Sequence, residues 1–134
     1  MLGDHQQLLK GPQLYDDLTR VPLIVRWPGV ISPGADVEAL VQWVDLSATL
    51  LDASGCAKGR GVQGESLLPL ATGKQIHWRH WALSEYRYSG FATDPLLMTT
   101  MLRYKNWKLI VWHGNPATDA RRDGELYNLS LIHI

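Results

Sequence analysis

The sequence predicts an α/β region followed by a small antiparallel sheet, and three observations carry that expectation. Leu23, Ile24 and Val25 form a continuous apolar run bounded by Pro22 and Pro28. Such a run reads as a strand buried on both faces, the kind found in a mostly parallel sheet with helices on either side. A segment of helical period follows, from Asp45 to Gly55. Beyond it, from Ala82 onward, short strand-like segments succeed one another, two of them meeting at Lys105-Asn106 as a natural hairpin.

Taken in order, residues 1–19 read as loop, with a helical turn around Leu14 to Leu18. Pro22 suits the first position of a strand, where its missing N–H costs least, and it pushes Val21 toward extended geometry. The strand is expected over Leu23 to Trp27, and the pairs Pro28-Gly29 and Pro33-Gly34 then break the chain. Asp36 to Val44 reads as extended. Asp45 is the expected N-cap of a helix, because a short carboxylate accepts bonds from the first free helix N–H groups. Leu46, Thr49, Leu50 and Ala53 share its expected inner face, and Gly55 suits its stop. The glycine-rich stretch from Cys56 to Gly64 breaks the chain, and Ser66 to Ala71 forms a short helix or turn. Strands are expected at Ala82–Tyr86, Leu97–Tyr104, Trp107–His113 and Glu125–Leu129. In the third of these Trp107, Leu109, Val111 and His113 alternate with Lys108, Ile110 and Trp112, so one face is less clearly polar than usual.

Length and composition bound what such a chain does. At 134 residues it is about one domain long, and a chain of this size buries roughly two-thirds of its unfolded surface. Lysine plus arginine balance aspartate plus glutamate at 13 each, and no basic stripe marks a nucleic-acid partner. No run approaches the ~20 apolar residues of a membrane span. A single cysteine, Cys56, excludes an internal disulfide.

Five short segments fall in order near the start: Leu2-Gly3-Asp4-His5, Lys10-Gly11, Tyr15-Asp16, Arg20-Val21-Pro22 and Trp27-Pro28-Gly29. In this arrangement the stretch resembles the sulfatase family of the alkaline-phosphatase superfamily. Val44-Asp45-Leu46, Thr49-Leu50-Leu51-Asp52 and Gly64-x-Ser66-Leu67-Leu68-Pro69-Leu70 extend the resemblance, which runs through Leu129. It implies the end of an alkaline-phosphatase-like α/β sandwich, with residues 1–75 from the C-terminal part of the catalytic domain and residues 76–129 from the C-terminal antiparallel sheet subdomain. Residues 130–134 depart from the family pattern and read as a non-native tail of translated adapter sequence. The chain is expected to be a fragment that begins after the family's Ser-Asp-His-Gly segment.

The resemblance also implies a chemistry. Sulfatases hydrolyse sulfate esters with a formylglycine made from Cys or Ser, beside a divalent metal, usually calcium. Hydrolysis needs a nucleophile, a cation facing the anionic oxygens and an acid for the leaving oxygen. Lys10 matches the family lysine that touches sulfate; a compact ammonium suits a tetrahedral anion. His5 is the second expected substrate contact, as proton donor or site-edge residue, and a structural loop histidine is the other reading. Tyr15, Asp16 and Arg20 are expected to support the site loop, the arginine bonding an acid and so fixing backbone. Neither the formylglycine precursor nor the metal ligands are expected in this chain. Cys56-Ala57-Lys58-Gly59-Arg60 has Lys58 where the precursor motif needs Pro or Ala. His77 and His80 lack a third partner for zinc, and His113 ends a strand, where it could face a site.

Two other functions compete with sulfate-ester hydrolysis. A phosphonate or phosphate ester hydrolase of the same superfamily carries the same Leu-Gly-Asp-His and Lys segments. A non-catalytic sheet module, used only for contacts, is the alternative outside enzymes. In either enzyme reading the expected partner is the ester substrate, and this chain alone is expected to be inactive.

Overall fold

The fold is described from a computed structural model, which defines His5 and residues 11–74, 77–87, 98–113 and 122–131. Three short helices and four strands follow in order: α1 (Asp16–Thr19), α2 (Trp43–Ala53), α3 (Leu68–Ala71), β1 (Trp81–Arg87), β2 (Met98–Tyr104), β3 (Trp107–His113) and β4 (Arg122–Asn128). The strands form one sheet in sequence order, β1-β2-β3-β4, the small antiparallel sheet expected of a sulfatase C-terminal subdomain. The chain divides into two compact units, one of Met1–Pro22 with Leu83–Ile134, the other Leu23–Ala82.

In the first unit, β2 and β3 pair antiparallel from Met98↔His113 to Tyr104↔Trp107, joined by the two-residue turn Lys105-Asn106. Lys105 takes up the left-handed backbone there, at φ 51°. β3 and β4 pair antiparallel from Trp107↔Asn128 to His113↔Arg122. Directly paired residues share a face, so Met101, Arg103, Lys108, Ile110, Trp112, Glu125 and Tyr127 line one side. On that side the core gathers: Met101 and Ile110 are buried with Leu14, and Tyr15, Tyr86, Trp112 and Tyr127 pack around them. The segment from Leu14 to Thr19 therefore lies on the inner face of the sheet. The opposite face keeps Leu102, Tyr104, Trp107, Leu109 and Leu126 exposed.

In the second unit, α2 is closed at both ends. Gln42 is its N-cap and Asp45 its third residue, each side chain accepting from the other's backbone N–H as a capping box. The expected N-cap at Asp45 is thus three residues too late: the acid caps from inside the first turn, where a carboxylate also meets the positive helix end. At the other end Gly55 stands at φ 70°. Gly55 N–H donates to the Asp52 carbonyl and Cys56 N–H to the Leu51 carbonyl, at 3.0 and 2.9 Å, the paired bonds of a Schellman stop. The buried face of α2 carries Asp45, Ala48 and Thr49, whereas Leu50, expected inside, is 70% exposed. The inner stripe is rotated toward the polar residues because these bind the loop from Gly64 to Leu67. Glu65 N–H reaches Asp45 Oδ1 at 3.0 Å, and Leu67 N–H reaches Thr49 Oγ1 at 2.9 Å.

The buried strand expected at Leu23–Trp27 is not formed. The segment is irregular, and Leu23, Ile24 and Val25 are 44%, 90% and 42% exposed. Strand structure is a property of a hydrogen-bonded pair, and no described segment pairs with this run. Its apolar side chains instead line an open groove of about 840 Å³ with Trp27, Ile31, Val37 and Leu70.

Candidate functional site

Of the residues expected to touch substrate, Lys10 lies outside the described residues. His5 is described, and its position is specific. Its backbone stands at φ 50°, a conformation uncommon for residues other than glycine, though histidine adopts it more often than most. Its imidazole stacks on the Tyr15 ring with centroids 4.1 Å apart and planes 20° apart. Its Nε2 lies 3.7 Å from Asp17 Oδ2, and its side chain keeps 47% exposure. The ring is therefore held by Tyr15 and Asp17 while about half of its side chain stays exposed.

Below His5, the Tyr15 ring meets the sheet. Its hydroxyl donates to Glu125 Oε1 at 3.4 Å, and its edge meets the Tyr127 ring at 6.3 Å. Trp112 Nε1–H donates to the same Glu125 oxygen at 3.3 Å, and the Tyr127 hydroxyl donates to Oε2. One carboxylate thus gathers three aromatic donors from α1's lead-in, β3 and β4. Burial, followed by the Glu125 charge, pushes the Tyr15 phenol above its ordinary value. Burial and the hydrogen bond to Glu125 push the Tyr127 phenol up further.

Asp16, the first residue of α1, forms the second tie. Its Oδ1 accepts from Lys108 Nζ at 2.6 Å, and its Oδ2 lies 3.7 Å from an Arg103 guanidinium nitrogen. Lys108 Nζ also donates to Thr19 Oγ1 at 3.1 Å. Arg103 and Lys108 stand directly opposite each other on β2 and β3, a like-charge pairing that would be unfavourable alone. The shared carboxylate resolves it. Burial lowers the Lys108 pKa, against the opposing pull of its bond to Asp16.

The acid expected beside Arg20 is not found among the described residues. Arg20 is exposed, and among the described residues its guanidinium has no acid partner; only its backbone N–H reaches the Asp16 carbonyl, at 2.8 Å. The acid at position 16 is instead held by cations more than eighty residues away in the chain, a distance no local motif reveals. Sequence reasoning missed Lys108, Arg103 and Glu125. The available signal was phase: Lys108 alternates in register with Ile110 and Trp112, so a cation was placed on an inward-facing row.

The remaining candidates stand apart from this cluster. Cys56 is a free, exposed thiol. His77 and His80 are exposed. His113 Nε2 is 2.8 Å from Thr100 Oγ1, where a cavity of about 180 Å³ opens between the ends of β1, β2 and β3. Among the described residues no group of three His, Cys, Asp or Glu is arranged to hold a metal ion, so these residues give a metal no fit. Nor is any helix among them long and apolar enough to cross a membrane.

Comparison with known proteins places the chain in a family. Residues 3–130 match the family model described as N-sulphoglucosamine sulphohydrolase, C-terminal. Arylsulfatase K of Danio rerio is 34% identical over 131 residues, which is 95% of this chain and 23% of that protein. A structure of a protein in complex with its substrate D-glucosamine-2-N,6-O-disulfate superposes with a TM-score of 0.67 at 26% identity, over 80% of this chain and 21% of the other. Phosphonate monoester hydrolase from Silicibacter pomeroyi gives 0.64 at 28% identity, over 79% and 22%. The chain thus spans about a quarter of the length of the curated relatives it matches. Sulfatases are metal-dependent enzymes, and with a family model covering nearly every residue, the chain belongs to the sulfatase family, in the part that corresponds to the C-terminal region of N-sulphoglucosamine sulphohydrolase.

Proposed function

We propose that this chain is part of a longer sulfatase that hydrolyses sulfate esters, and that it supplies substrate contacts to that enzyme. The observation that carries the reading is the anchoring of the segment after Lys10-Gly11. Asp16 is clamped by Lys108 and Tyr15 by Glu125, and His5 rides on Tyr15 with about half of its side chain exposed. A segment tied this firmly to a sheet suits a residue that must meet an anion at fixed distance. In this reading Lys10 faces the sulfate oxygens and His5 contacts the substrate beside it. Tyr15 and Asp16 support their loop, and Arg20 is free to meet groups elsewhere in the enzyme. A charge pair about 4 Å apart in a partly buried site contributes up to ~4 kcal/mol before desolvation.

Residues 1–75 would then close the catalytic domain, and residues 76–129 form the sheet subdomain. Calcium and a formylglycine complete the chemistry of the longer enzyme, supplying Lewis acidity and the nucleophile; this chain's described residues hold neither. The substrate class is a sulfated sugar or aryl ester. The amino-sugar sulfate bound by one structural neighbour and the description of the family model support the sugar.

Phosphonate ester hydrolysis is the competing reading, since a phosphonate monoester hydrolase shares the fold. The test uses the full-length enzyme with an aryl sulfate and an aryl phosphonate monoester side by side. A kcat/KM larger for the sulfate is expected, with Lys10→Ala lowering it. Preference for the phosphonate would overturn the sulfatase reading.

A further inference from the structure

We infer that Lys108 is a positioning residue for His5, acting from the inner face of the sheet through α1; the inference rests on His5 contacting substrate as proposed above. Lys108 is only 2% exposed, and a lysine is almost never so buried unless it is paired. Its partners all belong to one turn of chain. Nζ donates to Asp16 Oδ1 at 2.6 Å and to Thr19 Oγ1 at 3.1 Å, the first and last residues of α1. Arg103 approaches the other Asp16 oxygen at 3.7 Å. One carboxylate is thereby fixed against two strands.

The two residues that flank Asp16 are those that hold His5. Tyr15 lies under its ring at 4.1 Å, and Asp17 faces its Nε2 at 3.7 Å. Among the described residues the imidazole has no other polar or ring contact. The orientation of His5 is therefore set by the orientation of residues 15–17, and that in turn by Asp16 on Lys108. A role limited to stability would be replaceable, because exchanging a buried ion pair for apolar side chains of similar volume is often neutral. What an apolar side chain cannot reproduce is a fixed direction for the Asp16 carboxylate, and with it the placement of Tyr15 and Asp17.

The test is a double-mutant cycle in the full-length enzyme with an aryl sulfate: wild type, Lys108→Met, His5→Ala and the pair, reading kcat/KM and melting temperature. Lys108→Met is expected to lower kcat/KM by about 10²-fold, the scale of a small misplacement at a site. With alanine at position 5 the same change is expected to have almost no further effect. The cycle is repeated with Asp16→Asn, a partly exposed position where the change keeps the side chain's shape, and the melting temperature separates a lost placement of His5 from a lost fold, since the change also removes the charge that meets Lys108. Equal losses with and without the His5 imidazole, or full activity of both Lys108→Met and Asp16→Asn, would overturn the inference while leaving His5 at the site. Full activity of His5→Ala would overturn the site reading itself, and the inference with it.

Discussion

The carboxylate of Asp45 is wholly buried, and it is met by the guanidinium of Arg79, 34 residues further along the chain. The same acid accepts from the backbone N–H of Gln42 at 2.7 Å and of Glu65 at 3.0 Å. Arg79 in turn lies over the Trp78 ring, 4.8 Å from its centroid, and the Trp78 indole N–H donates to the Leu40 carbonyl at 2.8 Å. One charge thus joins the start of α2, the loop before α3 and the segment leading to β1. Removing either partner leaves an uncompensated buried charge. Arg79→Met and Asp45→Ala are each expected to cost about 3–5 kcal/mol, measured by urea denaturation. Because the two act on one interaction, the double variant is expected to lose clearly less than the sum. Additive losses would show that they act separately.

Gly64 is required for a different reason. A Cβ there would stand 2.0 Å from the Val44 carbonyl oxygen and 2.6 Å from the Asp45 amide nitrogen, both backbone. The loop cannot reach Asp45 without this close approach. Gly64→Ala is expected to cost about 3 kcal/mol, the top of the usual range for one substitution. Gly59→Ala, where nothing lies within 4 Å of the added carbon, is expected to change stability by less than ~0.5 kcal/mol. Equal melting temperatures for the two variants would contradict the contact.

The alkaline limb of stability reports on Glu125 and its aromatic donors. The Tyr15 and Tyr127 phenols are both raised above the ordinary 10.0 in the folded chain. The unfolded chain therefore loses these protons first. Their stabilisation is fully present below pH 10 and is lost as pH rises from there toward the folded values. Lys108, lowered from 10.5, acts with opposite sign: its burial penalty is fully present below the folded value and is relieved as pH approaches 10.5. Tyr127→Phe is expected to cost about 1–3 kcal/mol near neutrality, the scale of a hydrogen bond to a charged group. It is also expected to flatten the decline above pH 10, and Lys108→Met to remove the rise just below 10.5. Denaturation midpoints from pH 8 to 11 for the three proteins test both signs; an unchanged slope in Tyr127→Phe would refute the first.

These residues mark where the sequence is readable and where it is not. The strand from Trp107 to His113 and its turn at Lys105-Asn106 were legible, because period and turn chemistry act within a few residues. The stop at Gly55 was legible for the same reason. Leu23 to Val25 misled because an apolar run reports burial somewhere, not the identity of its partner, and a strand exists only with one. Asp16 was legible as an anchoring acid, yet its partner was sought at Arg20, four residues on. The true partner, Lys108, is fixed by the folding of the sheet, which no local pattern encodes. His5 and Tyr15 were both picked out, but the stacking of one on the other depends on the left-handed backbone at a histidine, and residue type alone does not announce it.

Lys10 and Arg20 are expected to separate when changed in the full-length enzyme. Lys10 sits in the Leu-Gly-Asp-His and Lys-Gly pattern that leads to the anchored turn. If its ammonium faces the sulfate, it stabilises negative charge that moves toward the leaving oxygen as the S–O bond breaks. Lys10→Ala is then expected to lower kcat/KM by about 10²–10³, the scale of one lost oxyanion donor, with the melting temperature unchanged. Arg20 is exposed, and among the described residues its guanidinium meets no acid. Its replacement by alanine should therefore leave stability within ~0.5 kcal/mol, as for an ordinary surface position. Support of the turn falls to Asp16, whose cation is Lys108 at 2.6 Å. Asp16→Ala, which strands a buried ammonium, is expected to lower both stability and activity. Measuring kcat/KM and melting temperature for all three variants decides the assignment. Full activity in Lys10→Ala, or a loss that merely follows unfolding, would remove Lys10 from the sulfate site, and a large drop in melting temperature for Arg20→Ala would return the anchoring role to Arg20.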